Sequence, residues 1–246
     1  MSSIRLWGLS SGDQFAQIVN HIRLLKDPTF IQSSGVARVE HGFEATITLR
    51  NTSNKTKALA ILNRLLPEKF PTIQLEVDDA FLGVTTLVCP ATLADDEITF
   101  EFVAHARDPP WLQADELLSV VAVHGLGGHG ANTWTCSNPV AHMWIRDFLP
   151  QSFSNARVMT FGYESRVLSR STGGIQEAAM QLLNGLMHRR GKEKVCSARG
   201  RISTTGYSVA RSRSHQFLHR PLIFMAHSLG GLIVKAASVP VPGSCS

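Results

Sequence analysis

Pro221-Leu-Ile-Phe-Met-Ala-His-Ser228-Leu-Gly-Gly231 is an apolar run that ends in a serine set between small residues. Leu232, Ile233, Val234 and Ala236-Ala237 follow in a helix-compatible pattern. The stretch therefore predicts a strand, a sharp turn and a helix, with Ser228 at the turn. A serine in such an elbow has a strained backbone, so the positions two before and two after it must lack bulk. Ala226 and Gly230 meet that need, and Gly231 continues the run of small residues. Ser228 is the candidate nucleophile.

Upstream of the elbow, strands and helices alternate. Ser119-Val-Val-Ala-Val123 reads as a buried strand running into His124-Gly-Leu-Gly-Gly128. Ala141 to Leu149 reads as a short helix with Trp144, Ile145 and Phe148 on one face, stopped by Pro150. Ala156 to Phe161 is a second strand. Ile175, Ala178, Ala179, Leu182, Leu183, Leu186 and Met187 then recur at helical spacing. This alternation predicts a parallel sheet covered on both faces. Gly125, Gly127 and Gly128 lack the G-x-G-x-x-G spacing, and no acid sits about 20 residues on at a strand end, so a dinucleotide loop is disfavoured.

Residues 119 to 237 resemble the serine-active-site-containing, lipase-like α/β hydrolases that fungi often place at the N-terminus of NACHT or repeat proteins. The resemblance rests on Val123-His-Gly-Leu-Gly-Gly-His129, Trp134, Met143-Trp-Ile-Arg-Asp-Phe-Leu-Pro150, Ala156-Arg-Val-Met-Thr-Phe-Gly-Tyr163 and Arg220 to Lys235. Phe81-Leu-Gly-Val-Thr-Thr86 is similar to the segment leading into that domain. The resemblance implies the N-terminal half of an α/β-hydrolase sheet, an ester or lipid acyl substrate, no cofactor and no metal. It also implies an oxyanion hole made by the amides of Leu126, in the loop after the first strand, and Leu229, after the nucleophile. Relatives include phospholipid-remodelling proteins at mitochondrial–ER contacts and inositol deacylases, so mitochondrial or endoplasmic reticulum membrane association is implied too.

One part of the pattern is missing. The triad order of this fold is Ser, then Asp or Glu, then His, yet no Asp, Glu or His follows Ser228. His227 adjoins the nucleophile, but an elbow neighbour points away from the hydroxyl. His124 and His129 belong to the oxyanion loop and are not expected to act as base. The acid and base therefore stay unassigned. The expectation is a chain truncated after the elbow, with one apolar sheet edge exposed and poor or no turnover. The alternative is a non-catalytic signalling or interaction module of an NLR-like protein.

Residues 1–79 read as a ferredoxin-like βαββαβ unit, the order shared by RNA-recognition domains. Ile4 and Leu6 should face its helices, leaving Arg5 and Trp7 outward. Phe43, Ala45, Ile47 and Leu49 alternate with Glu44, Thr46 and Thr48. Only Trp7 is left to stack a base, beside an acid that repels phosphate, so RNA binding is disfavoured, and a protein partner is the alternative for residues 1–79. Residues 80–118 read as a connector with a strand at Ile98 to Val103, and 119–246 as the hydrolase-like part.

Composition sets the remaining bounds. The net charge of +5 is uneven: His188 to Arg220 holds nine Lys/Arg against Glu193, a local +8 that leaves −3 elsewhere. Residues 191–219 within it show no helical or strand period and read as a disordered insertion. Cys89, Cys136, Cys196 and Cys245 are scattered, with no metal-ligand or disulfide spacing. No apolar run approaches the roughly 18 residues of a membrane span, and no signal-peptide pattern opens the chain. A cytoplasmic location is the default expectation.

Overall fold

The computed structural model describes residues 2–25, 31–39, 42–50, scattered positions between 56 and 68, 76–90, 118–136, 141–165, 172–189 and 222–238. The expected strand at Ile98 to Val103, most of the second helix of the βαββαβ unit and the insertion at 191–219 lie outside the described residues.

The first sheet contains β1 (Ser2–Leu9), β2 (Ile31–Val39), β3 (Gly42–Leu49) and β4 (Glu76–Asp78), with helix α1 (Gly12–Leu25) between β1 and β2. Its order is β2-β3-β1-β4, with every neighbour antiparallel. Helix α1 starts where Ser11 Oγ accepts the Gln14 amide at 3.2 Å, while the Gln14 side chain accepts the Ser10 amide at 2.9 Å. Such reciprocal bonds satisfy donors that a helix start otherwise leaves open. Strand alternation puts Ile4, Leu6, Ala45, Ile47 and Leu49 on one face, packed against Phe15, Ile18, Val19 and Ile22 of α1. Full burial of each large aliphatic or aromatic side chain contributes about 1.5–3 kcal/mol.

The opposite face carries Ser3, Arg5, Glu44, Thr46 and Thr48, and all five are buried. They face the second half of the chain, which covers them with arginines. The Arg146 guanidinium donates to Thr46 Oγ1 at 2.9 Å and Thr48 Oγ1 at 3.2 Å, and its Nε pairs with Asp147 at 2.8 Å. Arg189 pairs with Glu44 at 3.0 Å, and Glu44 also accepts the Thr86 amide at 2.8 Å. Burial raises the Glu44 pKa, while Arg189, the Thr86 amide and Arg5 pull it down. Arg5 bonds Asp78 at 2.8 Å and Thr85 Oγ1 at 2.6 Å, and lies 4.0 Å over the Trp7 ring. Trp7 thus packs against an arginine of its own strand.

The second sheet contains β5 (Gly83–Val88), β6 (Leu118–Val123), β9 (Ala156–Gly162) and β10 (Leu222–Ala226), in the order β10-β6-β9-β5. Strands β10, β6 and β9 are parallel, and β5 is antiparallel to β9. A two-stranded ribbon, β7 (Thr135–Cys136) and β8 (His142–Met143), lies between β6 and β9 in the chain. Helices α2 (Trp144–Asp147) and α3 (Leu149–Ser152) follow the ribbon; α4 (Thr172–Arg189) precedes β10 and α5 (Leu229–Ala237) follows it. Leu118, Val120, Ala122 and Val158 pack on one face with Trp134, Met143 and Ile145. Val121, Val123, Met159 and Phe161 pack on the other with Ala178, Ala179, Leu182 and Leu186 of α4 and Ile233 of α5.

Two readings of the sequence are corrected here. Residues 83–88, placed in the connector, form the antiparallel strand β5. Val84, Thr85, Thr86 and Leu87 are all buried, so the strand lacks the alternation that would announce it. Pro150 does not stop a helix from 141 to 149. It sits in the first turn of α3, where a missing N–H costs nothing, and the inward residues of α2 are Ile145 and Arg146, whereas Trp144 and Phe148 are exposed.

Candidate active site

Strands β6 and β10 pair in register up to Val123 and Ala226, so both chains leave the sheet at the same carboxyl edge. The His227 amide extends the ladder with one more bond, to the Val123 carbonyl at 3.0 Å. From there the chain after β6 crosses to the face covered by Trp134 and Ile145, and the chain after β10 enters α5 on the opposite face. Adjacent strands whose connections diverge in this way open a crevice at their carboxyl ends, the usual ligand position of open parallel sheets.

Ser228 stands at that crevice, exposed, with φ 51° and ψ −120°. This is a conformation that residues with a Cβ rarely adopt, and it costs of order 1–3 kcal/mol unless the surroundings enforce it. The enforcement is visible. The Gly230 amide bonds the His227 carbonyl at 3.0 Å and the Gly231 amide bonds the Ser228 carbonyl at 2.9 Å. A Cβ on Gly230 would lie 2.5 Å from the carbonyl oxygens of both Val123 and His124. A Cβ on Gly125 would lie 2.8 Å from His227 Nδ1 and 2.9 Å from the Ser228 Cβ. The loop after β6 therefore touches the serine turn, and only glycines permit the approach. Ala226 is exposed on the last residue of β10, and Gly231 faces open space, so crowding does not demand small size at either place.

The loop His124–Gly128 closes with the Gly128 amide on the Gly125 carbonyl at 3.0 Å. Gly127 has φ 67° and its amide donates to Ser165 Oγ at 2.9 Å. Leu126, between them, is 57% exposed. Among the described residues, no acceptor bonds the amides of Leu126 or Leu229. Leu229 opens α5, so its amide lies at the positive end of the helix dipole. Both expected oxyanion donors thus lie on the two segments that flank Ser228.

The histidines have other work. His124 is buried; its Nδ1 meets the Gly125 carbonyl at 2.9 Å and its Nε2 accepts the Tyr163 amide at 3.2 Å. These bonds fix the neutral ring with the proton on Nδ1. Burial pushes its pKa below the ordinary imidazole value and the neighbouring His129 adds to this, whereas the Gly125 bond and Glu164 oppose it. His129 accepts the amides of Ala131 and Asn132 on Nδ1, at 3.0 and 3.2 Å, and donates from Nε2 to the Asp79 carbonyl at 2.8 Å. Neither ring has a nitrogen left to take a proton from Ser228. His227 is exposed beside Gly125.

Sequence reasoning gave no role to Tyr163 or Ser165. Both follow β9 at the same carboxyl edge, and that position is the signal that could have found them. Burial pushes the Tyr163 phenol up to about 12, so it stays a hydroxyl donor at any ordinary pH.

Comparison with protein-family models, with curated proteins and with solved structures found no match to this chain. Among the described residues no cluster of His, Cys, Asp or Glu could hold a metal ion, and no helix is long and apolar enough to cross a membrane.

Proposed function

We propose that the chain carries the nucleophile half of an α/β-hydrolase fold behind a ferredoxin-like unit, and that its chemistry is acyl transfer from a carboxylic ester or lipid to Ser228. The observation that carries this reading is the Ser228 backbone, φ 51° and ψ −120°, at the carboxyl end of a parallel strand and against Gly125. Strand order, the strand–turn–helix around Ser228 and two amides on the flanking segments, unbonded among the described residues, agree with it. The Ser228 hydroxyl would attack the ester carbonyl, and the amides of Leu126 and Leu229 would receive the developing oxyanion. Each such donor is worth roughly 10²–10³ in rate.

A second reading, a non-catalytic interaction module, is favoured by the committed rings of His124 and His129. Among the described residues no base is paired to Ser228, and a serine without one is a weak nucleophile. These 246 residues are therefore expected to acylate slowly and to turn over poorly. Release of nitrophenol from p-nitrophenyl butyrate separates the readings. A release of about one equivalent per chain that disappears in Ser228→Ala supports the acyl-transfer reading. Release equal in wild type and variant favours the module.

A further inference from the structure

Ser228 and Phe81 are the two non-glycine residues with positive φ among the described residues, and both have φ 51°. Ser228 is explained by the elbow. Phe81 lies about 150 residues earlier in the chain, in the turn that joins the two sheets. That turn is tightly built: Asp78 pairs with Arg5 at 2.8 Å through one carboxylate oxygen, and through the other accepts the amides of Ala80 and Phe81, each at 2.9 Å. The carbonyl of Asp79, within the turn, accepts His129 Nε2 at 2.8 Å, and the Phe81 ring meets the His129 ring edge-on at 5.7 Å. The Phe81 carbonyl fills the space that a Gly162 side chain would need, and its Cβ lies 3.0 Å from where a Gly130 Cβ would stand. His129 in turn closes the far end of the oxyanion loop, by accepting two amides of the helical turn that starts at Asn132.

We infer that the turn Asp78–Phe81 is a brace for the oxyanion loop, and that His129 is the positioning residue through which the first sheet holds the Leu126 amide beside Ser228. The inference rests on the acyl-transfer reading above and gives the first unit a task within the site. Strain at Phe81 persists because the surroundings over-determine it, and strain of this kind is concentrated at working sites. The brace requires the neutral ring, since a second proton on His129 would point at two N–H donors.

Two conservative variants divide the role of His129. In His129→Asn the side-chain oxygen can still cap Ala131 and Asn132, as Asn does at helix starts, but the shorter side chain does not reach the Asp79 carbonyl. In His129→Gln the longer amide reaches the Asp79 carbonyl. The experiment, on the full chain, measures the rate of Ser228 modification by a fluorophosphonate together with amide hydrogen exchange of residues 125–128. His129→Asn is expected to slow modification by about 10-fold and to speed loop exchange, and His129→Gln to restore both to within about threefold, a partial loss of one oxyanion donor. Wild-type modification rates and unchanged loop exchange in a folded His129→Asn would overturn the brace. If wild type is not modified at all, the acyl-transfer reading fails. The exchange arm then still decides: faster loop exchange in His129→Asn, reversed in His129→Gln, upholds the brace as a structural coupling, and equal exchange removes it.

Discussion

Tyr163 holds His124 from two sides: its ring stacks on the imidazole at 4.2 Å and 4°, and its hydroxyl donates to the His124 carbonyl at 2.8 Å. With the Tyr163 amide on Nε2 as well, the ring is fixed in its neutral form. The folded pKa is lowered, chiefly by burial. As pH falls through about 6.5, the unfolded chain gains a proton that the folded chain refuses, so stability falls with acid. The stabilisation due to His124 is present above that pH and lost below it. Urea unfolding of wild type and His124→Gln between about pH 7.5 and 5.5 should show a stability gap that narrows towards acid. A gap independent of pH would contradict this account of the ring.

Ser228→Gly should stabilise the protein while removing the proposed nucleophile. Glycine adopts φ 51° and ψ −120° without the penalty a Cβ imposes, so a gain of about 1 kcal/mol is expected against Ser228→Ala, which keeps the strain. Thermal unfolding of the two variants measures it. Equal midpoints would mean that the elbow is unstrained.

Gly230 and Gly231 are neighbours with opposite tolerance. Gly230→Ala must move backbone, because its Cβ would stand 2.5 Å from two carbonyl oxygens. A loss of about 2 kcal/mol or more is expected, with slower Ser228 modification. Gly231→Ala meets open space inside α5 and should gain up to about 1 kcal/mol from helix propensity. Denaturant midpoints distinguish the two.

Arg146 ties the two sheets together. Arg146→Ala leaves Thr46, Thr48 and Asp147 short of their buried donor and should cost about 3–5 kcal/mol. Arg157→Ala, near the Arg189 carbonyl, removes a single bond and should cost about 1 kcal/mol. Similar losses for both would show that the contact between the sheets contributes little.

The elements around Ser228 were legible because their signals are local. An apolar strand, small residues around one serine and a helical period all sit within 17 residues, from Pro221 to Ala237. The alternation of Phe43 to Arg50 likewise gave the direction of each β3 side chain, and the structure puts Ala45, Ile47 and Leu49 in the core. What the alternation could not tell is that the polar face is also buried. Glu44, Thr46 and Thr48 look solvent-facing by period, yet arginines about 100 and 145 residues away satisfy them. Strand β5 was hidden for a related reason, since burial on both faces erases the period. The roles of His124 and His129 depend on contacts to Tyr163 and Asp79, and no spacing rule connects those positions. Pro150 misled because the same residue that ends one helix can open another.

Peptide mapping after fluorophosphonate treatment asks whether the fold makes Ser228 the nucleophile proposed above. An adduct is expected on the peptide containing Ser228, absent from Ser228→Ala and from chain unfolded in urea before treatment. A folded wild-type chain with no adduct at Ser228, or with the same modification before and after unfolding, would contradict it.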